Sequence, residues 1–221
     1  MLQVLSRPSA EPGSRLRLHG VPWSEYSRFL QTFSALRGVR LTYDQGELEI
    51  MSPLYRHDYD SRLLGALVAI LAEEFGYPMI QAGSTTLRGE AKKRGLEPNE
   101  SFWMQNAHRM AGKETLDLDI DPPPDLVIEV EETHGDIDRL AIYAALEVSE
   151  IWWLKAAKPT LEFWSLSKTG VYVKTATSRS FPGIRPALLL TYVRKVVEAG
   201  DQIAPLREFR KRLKRQRGGS G

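Results

Sequence analysis

Residues 122–133 read PPPDLVIEVEET, an apolar run that starts behind three prolines and carries four carboxylates, Asp125, Glu129, Glu131 and Glu132. The prolines argue against a helix interior, and the short apolar run behind them reads as a buried strand. Alternate residues of a strand share a face, so Leu126, Ile128 and Val130 point one way while Asp125, Val127, Glu129 and Glu131 point the other. Three ionised carboxylates on one face of an interior strand repel one another and lose hydration. Three arrangements relieve that cost: a hard cation among the oxygens, pairing with arginine or lysine, or a strand end that projects into water. The last suits Glu131 and Glu132, just before a loop. Spacing alone leaves all three open.

The rest of the chain is that of an ordinary globular protein. Of 221 residues, 42% are hydrophobic and 26% charged, enough for one substantial core. There is no cysteine, which removes disulfides and thiolate chemistry. No apolar run approaches the ~20 residues that span a bilayer, and the N-terminal stretch lacks a continuous signal-peptide core. The expected compartment is the cytoplasm, with no membrane partner. Net charge is +2, unevenly spread: residues 114–132 are acidic, whereas residues 207–217 carry seven basic residues against Glu208 alone. A basic tail favours polyanions or is simply the solvated end of a helix.

Apolar spacing predicts a helix over 23–36, a hairpin in VRLTYDQGELEIMSP around its DQG turn, and a helix over 58–75 with a wide apolar face. Short strands are expected at 79–82, 85–88 and in NESFWMQN. GEAKKRGL (89–96) reads as a charged connection, and KETLDLDID as an alternating segment or loop. A helix over about 137–146, with Tyr143 read as core packing, then leads to strands EIWWLKA, LEFWSLS and VYVKTA. A final helix from near Thr191 or Pro205 carries the basic tail. The division is an N-terminal arm (1–22), a main domain (23–190), a basic helical segment (191–217) and a linker or tag remnant (218–221). A second polar cluster, LEIMSPLYRHD, places Glu49 on a strand and His57 and Asp58 at a helix start.

Four segments, GELEIMSPLYRHD (46–58), GLEPNESFWMQN (95–106), DPPPDLVIEVEET (121–133) and DRLAIYAALEVSEIWWL (138–154), resemble in order the bacterial putative-restriction-endonuclease family of the PD-(D/E)XK nuclease superfamily. The resemblance implies an α/β fold, a restriction-endonuclease-like three-layer α/β/α arrangement with a mixed central sheet. It implies Mg²⁺ or Mn²⁺ held by acidic residues at a DNA phosphodiester, with a metal-activated water as nucleophile. Carried over by position, Glu129 is the acidic member of the (D/E)XK element, and Glu131 stands where lysine is more usual. Arg139 is the basic residue on the following helix. Glu49 supplies a further ligand, with His57, Asp58 and Asp125 as accessory groups, although Asp125 reads as scaffold. Arg210, Lys211 and Lys214 are the expected nucleic-acid contacts. The departure is Asn99: the family reads EPD where this chain reads EPN, so the expected ligand and catalytic position 99 offers Mg²⁺ a neutral carbonyl oxygen in place of the principal metal-binding carboxylate.

Three functions follow as expectations. The first is a Mg²⁺-dependent endonuclease acting on DNA, without marked sequence preference. The second is a nuclease fold impaired at Asn99 that binds nucleic acid or protein. The third is an assembly role, with EIWWL and LEFWSL forming a homodimer surface.

Overall fold

The computed structural model describes residues 13–33, 38–52, 55–131 and 137–218, without the side chains of 55–57 and 217–218. In chain order the elements are β1 (Arg15–Leu18), α1 (Trp23–Phe33), β2 (Arg40–Asp44), β3 (Glu47–Met51), α2 (Tyr55–Phe75), β4 (Ile80–Gln81), β5 (Leu87–Gly89), β6 (Arg94–Leu96), β7 (Glu100–Trp103) and α3 (Ala107–Met110). They continue with β8 (Leu126–Glu131), α4 (Arg139–Ala145), β9 (Glu150–Lys155), β10 (Thr160–Leu166), β11 (Tyr172–Thr175), α5 (Pro186–Ala199) and α6 (Ile203–Gly218).

The expected mixed sheet is six-stranded, in the order β11-β10-β9-β8-β7-β4. Its one parallel pair, β8 with β9, is joined by a crossover through α4. The acidic strand β8 therefore lies in the interior of the sheet. Its even-numbered residues, Leu126, Ile128 and Val130, enter a core with Leu63, Leu67 and Leu71 of α2, Tyr192 of α5 and Phe209 of α6. Val127, on the other face, packs with Ile142 and Tyr143 of α4, Trp103 and Ile151. Helices on both faces make the α/β/α layering.

A second sheet, β1-β3-β2-β6-β5, is antiparallel throughout. It contains the predicted hairpin, whose turn places Gln45 at φ 48° and Gly46 at φ 106°, the left-handed pair that a tight two-residue turn requires. Two sequence readings change here. Residues 15–18, read as part of a loose arm, pair with β3. The charged connection 89–96 is a hairpin of β5 and β6, because Arg94 finds a partner in Asp44 across the sheet, 2.7 Å away, and so joins a strand despite its charge. The single C-terminal helix is two, α5 and α6, parted at Gly200 in the left-handed conformation. No helix among the described residues is long and apolar enough to cross a membrane.

Tyr26 of α1 stacks on Tyr43 at 4.6 Å between ring centroids and lies against Gly95, where any added Cβ would sit inside contact distance of its hydroxyl. Gly95→Ala is therefore expected to destabilise the fold by about 1–3 kcal/mol through overpacking, read as a lower urea midpoint with an unchanged m-value.

Candidate functional site

The acidic face of β8 meets the antiparallel sheet and α4 at one small cavity of about 30 Å³, lined by Arg15, Arg40, Asn99, Glu129, Glu131, Arg139 and Trp153 among others. That is roughly the volume of one water in the liquid. Strand pairing explains the convergence. Glu129 and Glu131 alternate outward from β8 opposite Trp153 and Lys155 of β9. Asn99 immediately precedes β7, and its backbone N–H donates to Ile128 O at 3.0 Å.

Every candidate ligand in the cavity already has a protein partner. Glu129 is 5% exposed. Its Oε1 accepts from Arg139 Nη2 at 2.5 Å, from Arg139 Nε at 3.2 Å, and from the Tyr143 hydroxyl in a very short bond. Arg139 also donates from Nη1 to Thr42 Oγ1 at 2.8 Å and from Nη2 to the Glu97 carbonyl at 3.0 Å. It thereby ties α4 and β8 to the second sheet. Burial alone would lower the Arg139 pKa, but the adjacent Glu129 outweighs it and holds the guanidinium charged. Burial also raises the Tyr143 pKa well above its ordinary value, with the Glu129 charge acting in the same direction. That phenol is a fixed donor at neutral pH. Glu131 accepts from Trp153 Nε1 at 3.1 Å, and Glu49 from Arg15 at 3.0 Å.

Asn99, 4% exposed, is the informative residue. Its Oδ1 accepts the Val130 N–H at 2.9 Å, whereas Nδ2 is buried without a partner among the described residues. The Val130 donor fixes the amide orientation, since a flipped amide would set two donors against each other. The free end of the side chain is thus an N–H, which repels a cation. With the free end of Asn99 an N–H and Oε1 of Glu129 held by arginine and tyrosine, the described residues do not fit Mg²⁺ or Mn²⁺ as arranged. Consistently, no three His, Asp or Glu side chains among the described residues come close enough to hold a metal ion.

Of the other expected site residues, Asp58 borders the site, sharing a neighbouring pocket with Arg40, Glu97, Asn99 and Glu100, whereas Asp125 and the C-terminal basic residues lie apart. Asp125 sits at the opposite end of β8 and accepts the backbone N–H of Met104 and Gln105, at 2.6 and 3.0 Å. Asp58, at the start of α2, pairs with Arg40 at 3.0 Å. The His57 side chain and Glu132 lie outside the described residues. Arg210 and Lys214 pair with Glu73 and Glu74 at the far end of α2, at 2.7 and 3.8 Å, about 22 Å along that helix from Asp58. Lys211 on the same helix is exposed. The C-terminal helix packs on the face of the six-stranded sheet opposite Glu129 and Glu131. Thr42, Tyr143, Arg15, Arg40 and Trp153 were not expected at the site. Only Tyr143 left a signal in the sequence: it follows Arg139 by four residues and shares its helix face.

Beside Asn99, Glu97 and Glu100 have raised pKa values, in both cases first through burial. The folded state therefore holds their protons more tightly than the unfolded chain. The stability they contribute is complete below the ordinary carboxylate pKa and is lost as pH rises through the folded value. Glu100→Gln is accordingly expected to raise Tm relative to the parent more at pH 7 than at pH 4, as followed by circular dichroism.

The family model Uma2, described as a putative restriction endonuclease, matches residues 23–193. Among solved structures, a putative nuclease belonging to DUF820 from Anabaena variabilis is similar at TM-score 0.46 and 12% identity, over 68% of this chain and 89% of that one. No curated protein matches the chain.

Proposed function

The chain belongs to the Uma2 family, described as putative restriction endonucleases, and on that premise we propose that it is a nucleic-acid-binding nuclease fold whose hydrolytic centre is impaired. The observation that carries this is the Asn99 side chain, which gives its only oxygen to Val130 and leaves a buried, unpartnered N–H as its other end, where the family's aspartate would have a second oxygen. An aspartate there would keep the Val130 bond and present a second, negatively charged oxygen in place of Nδ2. Glu129, the other expected acidic ligand, is neutralised by Arg139 and Tyr143. DNA is the natural polyanion for a member of this family, and metal-dependent cleavage would require a carboxylate at position 99, with Glu129 contributing the oxygen that the Arg139 and Tyr143 bonds to Oε1 leave open.

The test is supercoiled and single-stranded DNA incubated with the purified protein in Mg²⁺ or Mn²⁺. The parent is expected to leave the DNA intact and Asn99→Asp to cleave it. Cleavage by the parent that is lost on Glu129→Ala would instead establish a working Mg²⁺-dependent endonuclease.

A further inference from the structure

We propose that the half-exposed face of β9, β10 and β11 beside the cavity is a stacking platform for single-stranded nucleic acid, centred on Trp153 and Trp164. The proposal deepens the reading above and rests on its claim that the chain binds nucleic acid.

Burial alternates along β10. Leu161, Phe163 and Ser165 are buried against the helices of the other face, while Glu162, Trp164 and Leu166 remain partly exposed. Register places these residues together with those of the neighbouring strands: Trp164 pairs with Ile151 on one side and Lys174 on the other, Glu162 with Trp153, and Thr160 with Lys155. Trp153 and Trp164 are thus diagonal neighbours on one face, roughly 7–8 Å apart. Trp103 and Trp152 are fully buried, whereas Trp153 and Trp164 pack against the core on the α4 side and remain partly exposed. Trp153 also lines the Glu129 cavity, which makes the platform continuous with the candidate site.

Charge identifies the partner. Residues 150–179 contain Lys155, Lys158, Lys168, Lys174 and Arg179 against Glu150 and Glu162, and Glu150 is fully buried. On the platform itself Lys174 lies over the Trp164 ring, 4.9 Å from its centroid. Lys155 and Lys174 share Glu162, at 3.8 and 2.7 Å, with 49% and 55% of their side chains exposed. Partly exposed indoles flanked by half-exposed ammonium groups suit unstacked bases and their phosphates, with Lys174 moving from the Trp164 ring to a phosphate on binding, and a duplex hides its base faces.

Fluorescence anisotropy of a labelled single-stranded oligonucleotide, in EDTA to prevent cleavage, measures the affinity of the full chain. Trp164→Ala is expected to weaken binding by roughly tenfold to a hundredfold, the scale of one lost base stack. The surface variant Lys155→Glu/Lys174→Glu, which does not depend on core packing, is expected to weaken it at least as much and to flatten the salt dependence by about 0.7 per lost phosphate contact. The platform is overturned if the lysine variant binds like the parent, or if a duplex of equal length binds as tightly as the single strand. A parent that binds no nucleic acid at all overturns the platform together with the binding function proposed above, whereas binding that survives the lysine change overturns the platform alone.

Discussion

Arg139→Ala is expected to cost about 3–5 kcal/mol of folding stability, the scale of breaking a buried ion pair from one side. The argument lies in where its donors go. The guanidinium reaches Glu129 on β8, Thr42 on β2 and the Glu97 carbonyl, so one side chain closes the two sheets over the cavity. Its removal leaves the Glu129 carboxylate, 5% exposed, with Tyr143 as its remaining donor at Oε1. Urea denaturation of the single and double variants decides the matter. Because the penalty comes from an orphaned charge, Arg139→Met/Glu129→Gln is expected to recover most of the loss that Arg139→Met suffers. A double variant no more stable than Arg139→Met would mean that Arg139 acts through packing instead of charge.

The second large effect is at Asn99. Replacing it with aspartate places a carboxylate oxygen where Nδ2 now lies, on a residue that lines the same cavity as Glu131 and the paired Glu129. Without metal the variant should be less stable than the parent, since a buried charge is added with no cation to meet it. With Mg²⁺ it should regain stability: a ligand at about 100 times its dissociation constant adds about 2.7 kcal/mol. The parent's Tm should not respond to Mg²⁺. Divalent-ion affinity is expected to rise by at least roughly 10- to 100-fold, the scale on which even the hydrogen-bonded partners of metal ligands act. Titration calorimetry with Mg²⁺ reads this without any DNA present, so it separates metal binding from turnover.

The sequence made much of this legible, and the parts it hid share a physical cause. Residues 122–133 announced a buried strand with an acidic face because proline and period-two alternation are local signals. The long helix α2 and the hairpin of β2 and β3 were readable for the same reason. The partners that neutralise the acidic face were not readable. Thr42 lies 97 residues from Arg139, and Arg15 lies 34 residues from Glu49; nothing in either local pattern ties them together. The strand of Arg94 was missed because a charged run reads as a solvated loop until its cross-sheet carboxylate is known. The basic tail carried the strongest charge signal in the chain, yet two of its seven basic residues, Arg210 and Lys214, pair with Glu73 and Glu74 at the far end of α2. Asn99 was visible as a departure from EPD. Which atom it turns inward depended on the Val130 N–H, a partner supplied only by strand pairing.

The most direct test of the central claim is divalent-dependent cleavage by the parent and Asn99→Asp, prepared together and assayed on supercoiled and single-stranded DNA. The account predicts intact DNA with the parent at every Mg²⁺ and Mn²⁺ concentration, and nicked or degraded DNA with the variant, abolished by EDTA. A parent that cleaves as fast as the variant, with the activity lost on Glu129→Ala, would contradict it.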